Sequence, residues 1–353
     1  MPPIPEILKP KPTVEVVYAG GTILSLATTQ GYREGGHVVD LVGLLEQHIP
    51  DFKDKVTLGN IDVAYTGLSE NIDERYLEQI GEKVGNALGR SPRSVIVTHG
   101  TDSMEQTARA LQARFGDELK TKKAKIILTG ANDDISAPNT DAWDNLAFAF
   151  ESTSSDAEPG VYVALHHKLI PADLVVKEPF NGVAMNYASS NDPAYQEAVR
   201  KQRERSQLLI NELEASYGRK AEGTGVVDYP VNVVRPSHQE LLDYIEANDV
   251  RAVLLTLYHS GTANTETPKL SIAELANKLS NERGVFCFAV TENGEPVNFG
   301  GYETSVKLHE AGIVPLGNML HDVALAKLRL TSTSVSGDDL IGEMQTNRVG
   351  EIG

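Results

Sequence analysis

The sequence predicts an α/β protein with two domains. The larger, N-terminal one is a mostly parallel sheet flanked by helices, and the smaller C-terminal one is of the same class. Three observations carry this expectation. Short runs rich in β-branched residues end on glycine, which reads as buried strands closing in tight turns. Those runs alternate with helical patterns in two separate stretches of chain, the signature of βαβ units. The 353 residues, 41% of them hydrophobic, suffice for one or two cores.

Residues 1–12 are proline-rich and read as an irregular arm. Strands are predicted at 14–18, 94–98, 125–129 and 160–165, with helices at 74–88, 104–115 and 141–151 between them. This gives a catalytic α/β domain over 13–190. Residues 191–230 form a polar connecting segment. Within it Asp192 to Tyr217 is charged throughout, a solvated helix or a linker, and Gly218 to Gly225 reads as a loop. The second domain, 231–353, shows strands at 231–234, 251–257 and 285–290, helices at 238–247, 271–281 and 303–311, and a closing helix over 322–330.

The charge balance is 32 basic against 49 acidic residues, a net −17. That argues against nucleic acid or an anionic membrane as the main partner. The basic cluster from Arg200 to Arg205 has no interleaved aromatics and reads as a solvated helix face. The single cysteine, Cys287, lies in an apolar strand and reads as inert packing. No run is long and apolar enough to cross a bilayer, and the N-terminus lacks the apolar core of a signal peptide. A reducing, cytoplasmic setting is the default expectation.

Two matching tripeptides stand out, Gly20-Gly21-Thr22 and Gly100-Thr101-Asp102, each directly after a predicted strand. Ligands of open α/β sheets bind outside the carboxyl ends of the strands. Two hydroxyls and a carboxylate are thereby delivered to that edge. The glycines permit close backbone approach, and the polar stretch from Thr28 to Gly36, with Tyr32 inside it, has the character of a flap. The bland alternatives are ordinary strand-to-helix turns, and for Asp102 a capping box with Glu105. Lys177 ends an apolar run, where burial beside a carboxylate suits proton transfer and the plainer reading is a surface lysine. Ser69-Glu70-Asn71 suits a helix N-terminus or a site wall. His166 and His167, adjacent in a predicted strand, face opposite ways, and His259 has no ligand at zinc spacing, so no metal site is expected. No Gly-x-Ser-x-Gly elbow is present.

Together these motifs resemble the bacterial-type L-asparaginase/glutaminase family, the threonine amidohydrolases, over about residues 13 to 335. Ala19-Gly20-Gly21-Thr22-Ile23 is similar to the family's Thr-Gly-Gly-Thr-Ile motif, and Val97-Thr98-His99-Gly100-Thr101-Asp102-Ser103-Met104-Glu105 is a near-complete match to its second motif. The resemblance implies Thr22 as nucleophile, Thr101 with Lys177 in proton transfer, and Asp102 on the substrate's α-ammonium. It implies Ser69 and Glu70 on the α-carboxylate and ammonium, Gly21 and Gly100 as backbone floor, and Asn264 as a residue supplied by a neighbouring subunit. The base that activates Thr22 is either Tyr32 or the Thr101–Lys177 pair. The resemblance further implies a homotetramer (a dimer of dimers), a small-molecule amide as substrate, and no metal or organic cofactor.

The sequence departs from the family at Gly130-Ala131-Asn132-Asp133-Asp134, where the family reads Gly-Ala-Met-Arg-Pro, and it has no clean counterpart of the flap tyrosine. Hydrolysis of asparagine or a related amide is the leading expectation. An ammonia-producing amidotransferase subunit ranks below it, since such subunits have a longer N-terminal region and a partner. A non-catalytic amino-acid sensor on the same scaffold is the third reading.

Overall fold

The computed structural model describes residues 11–24, 26–27, 33–34, 41–49, 52–90, 92–177, 187–222, 225–232, 237–266, 270–332, 334–335 and 337–352. In chain order the elements are β1 (Thr13–Ala19), β2 (Leu26–Ala27), β3 (Arg33–Glu34), α1 (Leu41–His48), α2 (Phe52–Lys55), β4 (Thr57–Tyr65), α3 (Glu74–Gly89), β5 (Ser94–His99), α4 (Met104–Lys122), β6 (Lys125–Thr129), α5 (Ala142–Ser152), β7 (Gly160–Leu165), β8 (Lys168–Pro171), β9 (Val175–Lys177) and β10 (Tyr187–Ser189). There follow α6 (Pro193–Tyr217), β11 (Val226–Pro230), α7 (His238–Ala247), β12 (Ala252–Leu257), α8 (Ile272–Arg283), β13 (Phe286–Thr291), α9 (Glu303–Glu310), β14 (Val314–Pro315), α10 (His321–Thr331) and α11 (Asp338–Gln345). The chain forms two compact units, one of residues 1–24, 35–67 and 76–173, the other of 25–34, 68–75 and 174–353.

The first unit is built on a six-stranded sheet ordered β4-β1-β5-β6-β7-β8, parallel except for the β8 edge. From β1 the chain crosses outward to β4, then returns past β1 to β5 and continues through β6 to β7. The order therefore reverses at β1, and the crevice between the carboxyl ends of β1 and β5 is the topological switch point of the sheet. Both strands read as near-continuous apolar runs because helices cover both faces. Val14, Val16 and Tyr18 join Ile96, Ile127 and Ala164 in one cluster with α1, α2 and α5. The outward crossover through α1 and α2 and the opposite-running crossover through α5 thus share a face. One must be left-handed, against the strong right-handed rule. Helices α3 and α4 pack together, Phe115 lying against Gly85. They carry the other inward crossovers outside that cluster, which leaves β6–α5–β7 as the left-handed connection.

Glu15 is buried on β1 and is held by Arg90 Nε at 2.7 Å and the Asn60 amide at 3.1 Å, so a core carboxylate keeps its partners.

The second unit has a parallel sheet in sequential order β11-β12-β13-β14. Sequential right-handed crossovers put every connecting helix on one face. Accordingly Tyr229, Val253, Leu255 and Cys287 pack with α7, α8 and α9, while Val226, Leu254, Phe288 and Val290 pack with α6, α10 and α11. Burial pushes the Cys287 thiol up to about 12, consistent with inert packing.

At the end of this unit, Lys327 is fully buried and donates to Glu351 Oε1 at 2.7 Å and to the Met344 carbonyl at 3.2 Å. Small hairpins β2–β3 and β9–β10 complete the unit. Among the described residues no helix is long and apolar enough to cross a membrane.

Two details differ from the sequence reading, and a third, which it left open, is decided. The strand expected at 231–234 lies at Val226–Pro230, where the apolar run pairs with Ala252–Thr256; residues 233–236 lie outside those described. His166 and His167 are not in a strand. They form the two-residue turn between β7 and β8, with Leu165 opposite Lys168 and φ of 47° and 59° at the two histidines. Two consecutive left-handed residues match the twist of a tight hairpin. Of the helix or linker expected from Asp192 to Tyr217, the helix is found, over Pro193–Tyr217, with Asp192 capping the Ala194 amide and Leu213 buried in the core.

Candidate active site

The first motif follows β1. Gly20 and Gly21 have φ of +69° and +93°, a conformation that excludes L side chains. Space excludes them too. A Cβ on Gly20 would lie 2.2 Å from the Gly67 carbonyl oxygen, and one on Gly21 would lie 2.2 Å from the Gly100 nitrogen. The Gly21 amide donates to Gly67 O at 3.1 Å, and Ile23 O accepts from Ile135 N at 3.0 Å. Thr22 opens a short 3-10 turn between these fixed points and is buried.

The second motif follows β5. Ala19 and His99 are direct partners in the β1–β5 register, so the two glycine turns leave the sheet side by side. Thr101 and Asp102 are buried in the turn before α4. The N-cap of α4 is Ser103, one residue beyond the position that a capping box with Glu105 would give Asp102, and the Ser103 side chain makes no capping bond.

Next to this edge, Asp141 organises the loop after β6. Its carboxylate accepts from the amides of Asn132 at 2.9 Å and Asp133 at 3.2 Å, from Asn145 Nδ2 at 3.0 Å and from His166 Nε2 at 3.1 Å. Burial alone raises the Asp141 pKa, but the His166 and backbone hydrogen bonds outweigh it and hold the group below the usual carboxylate range. The chain's departure at Asn132 and Asp133 is thus shaped by an acid nine and eight residues downstream.

The second unit holds the remaining residues. Ser69-Glu70-Asn71 forms a buried 3-10 turn. Glu70 Oε1 accepts from Thr304 Oγ1 at 2.7 Å. The Asn71 carbonyl accepts from Asn264 Nδ2 at 3.0 Å, and Asn71 Oδ1 accepts from the Thr265 amide at 2.9 Å. Two expected site residues, Ser69 and Glu70, therefore lie with Asn264, which the resemblance assigns to a neighbouring subunit and which here bonds within its own chain. Thr304 joins them although no local pattern marks it; it lies 234 residues from Glu70. Lys177 ends β9 opposite Tyr187 and is buried, not a surface lysine. Tyr32 lies outside the described residues.

His259 Nδ1 pairs with Glu292 Oε2 at 3.0 Å, through a carboxylate too distant in sequence to be read from spacing. Among the described residues no cluster of three or more His, Cys, Asp or Glu is placed to hold a metal.

Chemically, the first unit offers hydroxyls on two turns at a sheet switch point, with a carboxylate beside one of them. The second offers a carboxylate, hydroxyls, an amide and a buried lysine.

Comparison with known proteins adds the following. The chain is 28% identical over 362 aligned positions to a glutamyl-tRNA(Gln) amidotransferase subunit of Sulfurisphaera tokodaii, covering 98% of this chain and 76% of that protein. It is 26% identical over 356 positions to the same-named subunit of Saccharolobus islandicus, covering 97% and 76%. Among solved structures it is similar to the thermostable L-asparaginase from Thermococcus kodakarensis, with a TM-score of 0.40 and 20% identity over 97% of this chain and 99% of the other. It is also similar to L-asparaginase I from Vibrio cholerae, with 0.44 and 19% over 97% and 99%. The family model described as asparaginase, N-terminal, matches residues 13–206, more than half of the 353. The chain belongs to the asparaginase family.

Proposed function

We propose that this chain releases ammonia from a side-chain carboxamide through a threonine acyl-enzyme, and that it does so as the ammonia-producing subunit of an amidotransferase. The observation that carries the chemistry is the contact of Gly21 with Gly100, which sets the turns bearing Thr22 and Thr101 together at the switch point. The similarity along 98% of the chain to a protein named as an amidotransferase subunit favours that setting over a free asparaginase. This reverses the order in which the sequence alone ranks the two.

In this reading Thr22 Oγ1 attacks the carboxamide carbon and its proton passes to a base. A neutral hydroxyl is a weak nucleophile, so the base is required. Thr101 with Lys177 fills that role, or Tyr32 does. The carbonyl oxygen gains negative charge, which backbone amides at the Gly100–Thr101 turn stabilise; each such donor is worth about 3 to 4 kcal/mol. The proton is returned to the departing nitrogen, the C–N bond breaks, and ammonia leaves. Water then attacks the ester and restores Thr22. Asp102 and Glu70 balance the substrate's ammonium, and Ser69 faces its carboxylate. Asn264 and Thr304 fix the turn that carries Glu70.

The test is an ammonia-release screen with glutamine, asparagine, their D forms, small peptides and lactams. It is run on the isolated chain and on the chain with any protein that copurifies from its native lysate, and glutamyl-tRNA amidation is measured alongside. Amidation that depends on the chain and on a copurifying protein supports the amidotransferase reading. Efficient turnover of free asparagine by the chain alone, with no stable partner, returns the function to a free asparaginase. Amino-acid binding by calorimetry with no ammonia from any amide removes the hydrolytic reading.

A further inference from the structure

His99 ends β5 with no solvent exposure, one residue before the Gly100-Thr101 turn. Its Nδ1 lies 2.8 Å from the Gly100 carbonyl oxygen. A carbonyl only accepts, so Nδ1 carries the hydrogen and donates it. Burial pushes the imidazolium down to about 4, so near neutral pH the ring is uncharged and Nε2 bears a bare lone pair. Nε2 is buried and has no hydrogen-bond partner among the described residues. The core thus accepts an unsatisfied acceptor in order to keep an Nδ1–H at this place, and a buried group of that kind calls for an explanation.

The explanation lies in the peptide that the ring holds. The described chain contains no cis peptide bonds. In a trans peptide the carbonyl and the N–H point in opposite directions. The Gly100 carbonyl and the Thr101 N–H belong to the same peptide. With the carbonyl drawn onto the His99 ring, the Thr101 N–H is directed away from the buried ring. Gly100 has no side chain to resist rotation, and the facing residue is Gly21, which has none either. A flip of this peptide would replace a donor by a carbonyl oxygen, the worst group to present to a developing oxyanion.

We propose that His99 is a positioning residue for the amidohydrolase reaction: its Nδ1–H locks the Gly100–Thr101 peptide so that the Thr101 amide faces the carboxamide oxygen as it becomes negative. This rests on the function proposed above and adds to it a group that touches neither substrate nor nucleophile.

Two substitutions separate positioning from packing. In His99→Asn the side-chain amide nitrogen stands where Nδ1 stood and donates to the same carbonyl. In His99→Gln the donor is displaced toward the Nε2 position. Both lose the ring, and Asn is one methylene smaller than Gln, so packing alone would favour His99→Gln, the opposite of the expected order. With ammonia release as the readout, His99→Gln is expected to lower kcat on the order of 10²-fold with KM little changed, the magnitude of a lost oxyanion donor. His99→Asn is expected to recover at least about ten-fold of that loss. Equal kcat in the two variants, at matched thermal unfolding, overturns the proposal.

A measurement on the unmodified protein covers the case in which neither variant folds. The ¹⁵N shifts of the His99 ring should report the Nδ1–H neutral tautomer, unchanged from pH 5.5 to 8, and an Nε2–H tautomer overturns the proposal. An unmodified protein that releases ammonia from no amide shows instead that the proposed function is wrong, and the role of His99 falls with it.

Discussion

Gly21 and Gly100 meet backbone to backbone, with the place a Gly21 side chain would occupy already filled by the Gly100 nitrogen at 2.2 Å and its Cα at 2.3 Å. The contact joins the ends of two strands that are neighbours in the sheet but far apart in the chain. Gly21→Ala would add a methyl where only backbone could yield, at a φ of +93°. The conformational strain alone costs about 1 to 3 kcal/mol. We expect a loss of stability above that range in urea unfolding, together with loss of ammonia release, since both turns would have to move.

The two hydroxyls that these turns carry give the second prediction. Thr22→Ala and Thr101→Val should each lower kcat by on the order of 10³-fold or more, as removal of one member of a concerted set does, while circular dichroism and thermal unfolding stay near those of the parent. Near-normal turnover in Thr22→Ala would remove it as the nucleophile.

A third prediction concerns pH. His321 Nε2 lies 3.0 Å from Asp228 Oδ2 and its Nδ1 lies 3.0 Å from Asp322 Oδ1. The hydrogen bond to Asp228 is the largest influence, and together with Asp322 it raises the His321 pKa against the opposing effect of burial. A group whose folded pKa exceeds its unfolded value stabilises fully below the unfolded pKa, ~6.5 for histidine. That stabilisation is lost as the pH rises through the folded pKa. The melting temperature should therefore decline from about pH 6.5 upward by a component that His321→Gln removes. An identical decline in the variant would show that His321 does not contribute it.

The buried pair Lys327–Glu351 gives a fourth. Both side chains have zero exposure. Glu351→Ala leaves the ammonium with carbonyl partners but no counter-charge, and should cost about 3 to 5 kcal/mol in urea unfolding. Lys327→Met with Glu351→Leu should recover most of that loss, because two apolar side chains need no partner.

The sequence made some parts of this molecule legible and hid others for identifiable reasons. Val14–Tyr18 and Ser94–Thr98 announce themselves as strands because both faces are buried and the residues are β-branched. The neighbouring β4 gives no such signal: Thr57–Tyr65 is half-exposed along its length and is interrupted by Gly59 and Asn60. The turn at His166 and His167 contains neither glycine nor asparagine, the usual marks of a two-residue hairpin, so it reads as more strand. At the candidate site, Thr22 and Thr101 are visible because each stands in a glycine turn just after a strand. The pairing of Glu70 with Thr304, and of Asn71 with Asn264, spans 234 and 193 residues, and nothing local encodes it. The Lys177 position is legible only as the end of an apolar run.

The inner position of β1 bears on how the chain reaches this state. It pairs on one side with Thr57–Tyr65 and on the other with Ser94–His99, both well downstream of it in the chain. Pairing at such separation is slow, because loop closure must come before any reward from contact. The turn that carries Thr22 therefore takes its final form late, when the polypeptide has been made at least as far as Gly100. An early truncation product would hold the Thr22 hydroxyl on an unpaired, aggregation-prone ribbon.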